Sequence, residues 1–320
     1  MYDLLIIGAG PAGLSCAIHA KKAKLKYAIL DKGTVVDSIY RFPTEMVFFS
    51  TPELLEIGDM PFVTSGFRPT RVEVLNYYHR VAEHFELMIR QHERVDSIER
   101  RSGLFRVLTS KKRIYQTRNL VFATGYFDNP RRLGVKGEEL PKVSHYFDDP
   151  YPFFGSRVAV VGGKNSAVET ALALHRHGAH VTLVHRGSAL SRGVKYWILP
   201  DIENRIKEGA IETCFESTVN EIREDSVVVE NKRGRRRIIK NDFLFVQIGY
   251  DPTTELLKSL GVKVDTGSLV PKHNPRTMET NVRGVYLAGS IAAGKENNKI
   301  FIENGRLHGG LIVKSILSKR

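Results

Sequence analysis

Hydrophobic and polar positions change pattern for the first time near residue 8. The continuous apolar run at residues 4–7 predicts a buried strand, and the small and apolar positions after Pro11 predict a helix. Three glycines at GxGxxG spacing separate the two elements: Gly8, Gly10 and Gly13. The stretch therefore predicts a strand, a tight turn and a helix.

This turn has the composition of a diphosphate-binding site. Gly8 allows the tight turn, Gly10 lets a ligand approach the backbone, and Gly13 lets the helix lie close to the sheet. The helix N-terminus adds N–H donors and a positive dipole. The apolar run 27–30 ends at Asp31, 23 residues after Gly8, where a carboxylate would accept hydrogen bonds from ribose hydroxyls. We expect an adenine dinucleotide here, held by these candidate residues: Gly8, Gly10, Pro11, Ala12, Gly13, Asp31 and Lys32.

The next segment, residues 37–62, is rich in aromatic residues and prolines and has no strong period. It predicts a loop, which either covers the core or contacts a flavin through residues such as Tyr40. Residues 71–87 predict a helix. Its expected buried stripe is Val72, Leu75, Tyr78 and Val81.

Residues 104–109, 113–116 and 120–123 predict three strands of a meander. The last of them ends in Ala123-Thr124-Gly125, and we expect this glycine to close the strand beside the first nucleotide site.

A second unit repeats the first. Residues 157–161 predict a strand, a helix continues to about Gly178, and residues 180–185 predict another strand. His185 follows Gly162 by 23 residues, the same interval as in the first unit. The turn between strand and helix reads Gly162, Gly163, Lys164, Asn165, Ser166 and Ala167. The repeat predicts two dinucleotide-binding units in one chain.

The differences between the two copies indicate different nucleotides. His185 stands where the first unit has Asp31, and Arg186, Arg192 and Lys195 follow it. Because the carboxylate is replaced by cations, the second site should prefer NADPH over NADH.

Lys164 replaces the second glycine of the motif. It would either crowd the pyrophosphate or add charge to it, and we favour the second interpretation.

The rest of the chain predicts a charged hairpin from strands 226–229 and 237–239 and a strand that leads into Gly289-Ser290. A last helix is predicted from about Lys299 or Ile300 to Leu317. We interpret the basic hairpin turn as a solvated surface.

Composition narrows the function classes. A length of 320 residues suits two domains. The net charge of +13 would suit nucleic acid, but there is no zinc-ligand spacing or basic heptad region, so we expect an anionic small molecule or an acidic partner and neither nucleic acid nor metal. A strand is predicted to start by residue 4, so we expect no signal peptide. No apolar run approaches the roughly 18 residues of a membrane span, so we expect no membrane anchor and a cytoplasmic protein. Cys16 and Cys214 form no CxxC motif, which fits a reducing compartment.

Taken together, the two glycine turns and Ala123-Thr124-Gly125 resemble the thioredoxin reductase and glutathione reductase superfamily of flavoproteins with two dinucleotide-binding domains. The resemblance implies an α/β fold of two Rossmann-like domains, each a three-layer ββα arrangement, in a homodimer. It places an NADPH domain at residues 127–249, inserted into an FAD domain at 1–126 and 250–320. It also adds candidate FAD contacts: Val95, Thr124, Gly125, Gly289, Ser290 and Ile300. The family usually has Asp at position 290, so Ser290 is a departure.

The dithiol of thioredoxin reductases is absent. The stretch that matches their CxxC, residues 143–149, contains no cysteine, and no CxxxxC follows the first nucleotide helix. We expect Cys16 to be a buried filler on the helix face that lies on the sheet and Cys214 to be similar, while His145, His273 and His308 are possible proton donors. No side chain is assigned a catalytic role.

Several separated stretches are similar to the bacillithiol-disulfide reductase family. They are residues 37–40, 48–50, 58–62, 162–167, 197–200 and 300–305. That family commonly has cysteine where this chain has Ala12, so either the flavin reduces the disulfide directly or the substrate is different.

Three functions follow as hypotheses. The first is NADPH-dependent reduction of a low-molecular-weight disulfide such as bacillithiol disulfide. The second is a ferredoxin or flavodoxin NADP reductase of the thioredoxin-reductase-like type, which the basic charge suits because such carriers are acidic. The third is a sensor that binds flavin or nucleotide without turnover.

Overall fold

The computed structural model describes residues 1–296 and 299–319. The chain divides into two compact units. The first consists of Met1–Arg41, Met46–Asn129 and Tyr250–Arg320, and the second of Phe42–Glu45 and Pro130–Gly249.

Strands and helices alternate through both units. Up to Asn129 the elements are β1 (Tyr2–Ile7), α1 (Pro11–Lys22), β2 (Tyr27–Leu30), α2 (Asp37–Tyr40), α3 (Pro52–Leu55), α4 (Arg71–His84), β3 (Ile89–Arg90), β4 (Val95–Arg101), β5 (Leu104–Thr109) and β6 (Ile114–Phe122). The second unit then contains β7 (Val143–Ser144), β8 (Arg157–Val161), α5 (Asn165–Arg176), β9 (His180–Val184), α6 (Leu199–Lys207), β10 (Ile211–Cys214), β11 (Ser217–Ile222), β12 (Ser226–Asn231), β13 (Arg236–Lys240) and β14 (Phe243–Val246). The chain returns to the first unit with α7 (Glu255–Ser259), β15 (Val285–Leu287), α8 (Ile302–Gly305) and α9 (His308–Leu317).

The sheet of the first unit has the order β3-β2-β1-β6-β5-β4, and β15 also pairs with β6. The pairs β1–β2, β1–β6 and β6–β15 are parallel, whereas β4, β5 and β6 form an antiparallel meander. The prediction of separate strands at 113–116 and 120–123 is wrong, because β6 is continuous. Its first half pairs with β5 and its second half with β1, so both halves are held in extended backbone.

The second unit has a parallel sheet, β10-β9-β8-β14-β7, and an antiparallel sheet, β11-β12-β13. Alternate residues of β8 face the two sides of the parallel sheet. Val158 and Val160 pack in a core with α5, while Ala159 and Val161 pack in a core with β11, β12 and β13. The parallel sheet therefore lies between a helix layer and a meander, and the predicted α/β fold with three-layer ββα units is confirmed.

Helix α4 departs from its predicted stripe. Val72 is 54% exposed and Leu75 is only partly buried, whereas Val74, Tyr77, Tyr78 and Val81 form the buried face. The buried face includes Tyr77 and Tyr78, whose hydroxyls donate to the backbone carbonyls of Met60 and Leu55, each at 2.8 Å.

The last predicted helix is two helices. The helix is interrupted between α8 and α9, where Leu307 N donates a hydrogen bond to the carbonyl oxygen of Asn304, only three residues earlier. The guanidinium of Arg306 leaves the helix to donate to the carbonyls of Glu53 and Glu56 next to α3. The interruption therefore coincides with the residue whose side chain binds the segment around α3.

No helix in residues 1–296 and 299–319 is long and apolar enough to cross a membrane.

Candidate dinucleotide sites

The three glycines of the first turn differ in the space that surrounds them. Gly8 has φ +111°, and a Cβ there would lie 2.4 Å from the carbonyl oxygen of Ala123. A Cβ on Gly13 would lie 2.0 Å from the carbonyl oxygen of Gly8. A Cβ on Gly10 would meet nothing within 4 Å. Packing therefore requires Gly8 and Gly13, while Gly10 borders open space that a ligand can fill.

The N-terminus of α1 is left without a side-chain cap. Gly10 is the N-cap residue and Pro11 occupies the first turn, which contains no acidic residue. The N–H groups of this turn and the helix dipole are thus available to an anion, and Ala12 and Gly13 lie in the turn that would hold it.

Asp31 is locked onto the glycine turn. Its Oδ2 accepts a hydrogen bond from Ala9 N at 2.6 Å, and its Oδ1 accepts one from Gly33 N at 2.8 Å. Burial raises the pKa of the Asp31 carboxyl, while these two backbone bonds act in the opposite direction. Each oxygen keeps acceptor capacity that two ribose hydroxyls can use.

Ion pairs that are not evident from the sequence lie next to α2. Lys32 Nζ pairs with Asp128 Oδ1 at 2.9 Å. Arg41 pairs with Asp128 and, at 2.8 Å, with Asp37. Lys32 is therefore held by Asp128. Tyr40 remains 59% exposed.

Residues far apart in the chain meet beside Ala12. Gly289 has φ +73°, and a Cβ there would lie 2.9 Å from Ala12 Cβ. Gly125 borders Ser290, whose Oγ is 3.8 Å from a Cβ placed on Gly125. The strand end with Thr124 and the segment after β15 thus reach the same turn as α1.

Two further candidates lie at the margins of this site. Ile300 Cγ2 is 3.3 Å from a Cβ placed on Gly305, which itself packs on Gly289. Val95 is buried at the start of β4, two residues after Glu93, whose N–H donates to Asp31 O at 2.7 Å.

His308 lies at this site through a contact that sequence reasoning missed. Gly289 N donates to His308 Nδ1 at 3.1 Å, so Nδ1 is unprotonated and the ring proton is on Nε2. Burial, together with His273, lowers the pKa of His308 to about 4. The sequence offers His308 as a possible proton donor, but nothing in the sequence relates this histidine to Gly289.

The second glycine turn follows the plan of the first. Gly162 has φ +150°, and a Cβ there would lie 2.5 Å from the carbonyl oxygen of Gln247 and 2.6 Å from Ala167 Cβ. Lys164 is the exposed N-cap residue of α5 with extended backbone, φ −112° and ψ −172°. This conformation does not require glycine, and the lysine side chain is directed away from the packed core.

The loop after β9 is tied to this turn. Ser191 N donates to Gly163 O at 2.9 Å, and Asn165 Oδ1 accepts from Lys195 N at 2.8 Å. Ser166 is exposed next to them.

The cations of the second site fall into two groups. Arg186 and Arg192 are exposed and form no ion pair within residues 1–296 and 299–319. Lys195 is 7% exposed, and its Nζ pairs with Glu169. The Lys195 charge is therefore paired within the unit, and Arg186 and Arg192 are the exposed cations of this loop.

The two cysteines are buried. Cys16 is 0% exposed, and burial raises the pKa of its thiol to about 12. Gly309 of α9 packs on the backbone of Ser15 and Cys16, so this stretch of α1 lies against a helix as well as a sheet. Cys214 Sγ accepts a hydrogen bond from the Arg237 guanidinium at 3.5 Å. Burial raises the pKa of the Cys214 thiol.

Comparison with known proteins decides the family. A family model described as pyridine nucleotide-disulphide oxidoreductase matches residues 5–289. The chain belongs to this family. It is an oxidoreductase that uses FAD and NADPH. The described residues fit both groups, because each unit presents an uncapped helix N-terminus behind a glycine turn.

Relatives match this pyridine nucleotide-disulphide oxidoreductase over nearly its whole length. Bacilliredoxin reductase Bdr of Bacillus subtilis (strain 168) is 44% identical over 315 residues, which are 98% of this chain and 97% of that protein. A ferredoxin–NADP reductase of Ignicoccus hospitalis is 29% identical over 316 residues, 97% of this chain and 96% of that one. The structure of bacillithiol disulfide reductase Bdr (YpdA) from Staphylococcus aureus superposes with a TM-score of 0.96 at 41% identity, covering 100% of this chain and 99% of that chain. The resemblance predicted from the sequence is confirmed. The chain is more similar to Bdr, at 44% identity, than to the ferredoxin–NADP reductase, at 29%, and this difference favours the disulfide-reductase interpretation.

Proposed function

We propose that this enzyme uses NADPH to reduce bacillithiol disulfide or a closely similar low-molecular-weight disulfide. The observation that carries the proposal is the match to Bdr from two bacteria over at least 97% of each chain. The reaction consumes one disulfide, one NADPH and one proton and gives two thiols and NADP⁺.

Bound FAD supplies a carrier that accepts two electrons from NADPH and returns them to an acceptor. The chain's own residues bind and orient the two cofactors. For FAD we propose the following residues: Gly8, Gly10, Pro11, Ala12, Gly13, Asp31, Lys32, Tyr40, Val95, Thr124, Gly125, Gly289, Ser290 and Ile300. For NADPH we propose the following: Gly162, Gly163, Lys164, Asn165, Ser166, Ala167, His185, Arg186 and Arg192.

No thiol of the chain takes part in this mechanism. Position 12, where the resembling family commonly has cysteine, is alanine. Cys16 is fully buried with a pKa of about 12, so it forms almost no thiolate at neutral pH. Electrons therefore pass to the disulfide without a protein dithiol.

The test is NADPH oxidation by the purified, FAD-loaded protein in the presence of defined acceptors. Bacillithiol disulfide should support turnover, and a bacilliredoxin in mixed disulfide with bacillithiol is the protein acceptor to compare with it. A colourless protein after reconstitution with FAD, or turnover with neither disulfide, would contradict the proposal.

An acidic electron carrier is the second candidate acceptor. The net charge of +13 and the ferredoxin–NADP reductase relative favour it. Reduced enzyme mixed with ferredoxin or flavodoxin in a stopped-flow instrument would transfer single electrons rapidly in that case. We expect these carriers to be much slower acceptors than bacillithiol disulfide.

We further propose that the enzyme is a homodimer in the cytoplasm. The family resemblance supports the first part, and the absence of a CxxC motif or disulfide framework supports a reducing compartment. Light scattering should give twice the chain mass of 36.1 kDa.

A further inference from the structure

The residue that follows the strand beside each glycine turn differs between the two units. In the first unit it is Ala123, whose carbonyl oxygen lies 2.4 Å from a Cβ placed on Gly8. In the second it is Gln247, whose carbonyl oxygen lies 2.5 Å from a Cβ placed on Gly162. The N–H of each donates at 2.8 Å to the last residue of the neighbouring parallel strand, β1 or β8. The two positions are therefore equivalent, and the second unit has a side-chain amide where the first has a methyl group.

Gln247 lies at the carboxyl edge of the parallel sheet, directly after β14. On one side of β8 is β9, and His185 at its end packs on the glycine turn, with ring atom Cε1 2.3 Å from a Cβ placed on Gly163. This is the side of the adenosine in the proposed site. On the other side of β8 are β14 and β7. Since a dinucleotide crosses such an edge where the strand order reverses, the nicotinamide half would extend over the ends of β14 and β7.

The side-chain amide of Gln247 is buried and has hydrogen-bonding capacity to spare. The residue is 7% exposed. In the part of the chain that the structure describes, the amide makes one hydrogen bond. Its Nε2 donates to the carbonyl oxygen of His145 at 3.5 Å, beyond the usual range of about 2.7 to 3.2 Å. An amide can donate two hydrogen bonds and accept two, and buried polar groups are normally hydrogen-bonded, so this side chain points to a ligand that completes its bonding.

The strand end next to Gln247 is fixed in place. His145 follows β7, and its Nε2 donates to Oε1 of Glu138 at 2.9 Å. The Glu138 carboxylate also accepts from the backbone N–H groups of Leu133 and Gly134, each at 2.8 Å. The carbonyl oxygen that Gln247 contacts is therefore held before any nucleotide binds, which reduces the loss of freedom that binding would cost.

We propose that Gln247 binds the nicotinamide riboside half of NADPH through its side-chain amide. This inference rests on the proposed NADPH site of the second unit and adds a residue on the side of the glycine turn away from His185. The amide offers both donors and an acceptor, which match the ribose hydroxyls and the carboxamide of this half. Because NADPH and NADH share the nicotinamide half, the contact contributes equally to the binding of both nucleotides.

The test is equilibrium titration of the FAD-loaded, oxidised protein with NADP⁺, with NAD⁺ and with adenosine 2′,5′-bisphosphate, which lacks the nicotinamide half. Gln247→Met keeps a long side chain without the amide, and Gln247→Ala introduces the residue that the first unit has at this position. Both variants should bind NADP⁺ and NAD⁺ about twofold to tenfold more weakly, as expected for the loss of a hydrogen bond, and adenosine 2′,5′-bisphosphate as tightly as the wild type. Asn220→Ala is the matched control, because it removes an exposed side-chain amide from β11 of the same unit.

Three results would overturn the proposal. The first is wild-type affinity for both nucleotides in Gln247→Met, since an apolar side chain would then suffice. The second is an equal loss of affinity for adenosine 2′,5′-bisphosphate, which would indicate damage to the glycine turn and not the loss of a nicotinamide contact. The third is a wild-type chain that binds none of the three ligands, which would overturn the NADPH site as well. Failure of bacillithiol disulfide as an acceptor would leave these titrations unchanged, so this proposal and the proposed substrate fail separately.

Discussion

The backbone N–H of Ala9 donates a 2.6 Å hydrogen bond to Oδ2 of Asp31, which joins the glycine turn to the acid at the end of the next strand. The same carboxylate accepts from Gly33 at 2.8 Å, so its orientation is set before any ligand binds. A carboxylate oriented in advance can bind ribose hydroxyls without further loss of side-chain freedom.

Replacing Asp31 should therefore weaken FAD binding strongly. Asp31→Ala removes the carboxylate that would accept from the ribose hydroxyls, and we expect a loss of roughly 1 to 3 kcal/mol of binding free energy, or about fivefold to somewhat over a hundredfold in FAD affinity. The measurement is the dissociation constant from flavin fluorescence. Asp96→Ala is the control. Asp96 forms an ion pair with the exposed Arg94, and this variant should bind FAD normally.

Gly289→Ala should also lower FAD retention. The residue has φ +73°, and an added Cβ would lie 2.9 Å from Ala12 Cβ. The matched control is Gly103→Ala, because Gly103 has φ +80° in the same unit but nothing within 4 Å of the added Cβ. The control shows the backbone strain alone, about 1 to 2 kcal/mol. Equal FAD loss in both variants would contradict a role of Gly289 at the cofactor turn.

Cys16→Ser should retain NADPH-dependent turnover. The thiol is 0% exposed with a pKa of about 12, so it contributes packing and not nucleophilicity. A hydroxyl at this buried position should cost roughly 1 to 3 kcal/mol of unfolding free energy. Thermal unfolding and steady-state kinetics measure the two effects, with Cys16→Ala as the milder comparison. A variant that NADPH still reduces but that no longer reduces a disulfide would identify Cys16 as a relay.

Arg186→Ala should raise the Michaelis constant for NADPH and leave that for NADH nearly unchanged. A guanidinium bound to a phosphate contributes roughly 1.5 to 3 kcal/mol, which corresponds to about tenfold to hundredfold. Arg233→Ala removes an exposed arginine from the β12–β13 turn of the same unit and serves as the control. Equal effects of Arg186→Ala on both nucleotides would refute the assignment.

Acid should destabilise the protein through His308. The folded-state pKa of about 4 lies below the ordinary value of 6.5, so the unfolded chain binds the proton more readily. Stability from this group is complete above pH 6.5 and is lost as pH falls toward 4, by up to roughly 3 kcal/mol. His308→Asn keeps an oxygen acceptor for Gly289 N and should melt at a less pH-dependent temperature over this range. Parallel melting curves for the two proteins would exclude His308 as the source.

Much of the fold and the cofactor chemistry was available from the sequence alone. Strand, turn and helix in each unit follow from hydrophobic periodicity and from glycines within a few residues of each other. The exchange of Asp31 for His185 and the missing CxxC are visible as residue types at fixed intervals. These features are local, and a βαβ unit specifies them within about 30 residues.

Only the tertiary structure decided the contacts that complete the sites. Gly289 N meets His308, Arg306 leaves its helix for the carbonyls of Glu53 and Glu56, and Glu169 neutralises Lys195. Arg306 and Glu53 are 253 residues apart, and no periodic pattern marks a pair at such a distance. The contact between the His185 imidazole and Gly163 has the same origin. Both residues are visible in the sequence, but they meet because the parallel strands β8 and β9 bring their carboxyl ends to one edge of the sheet.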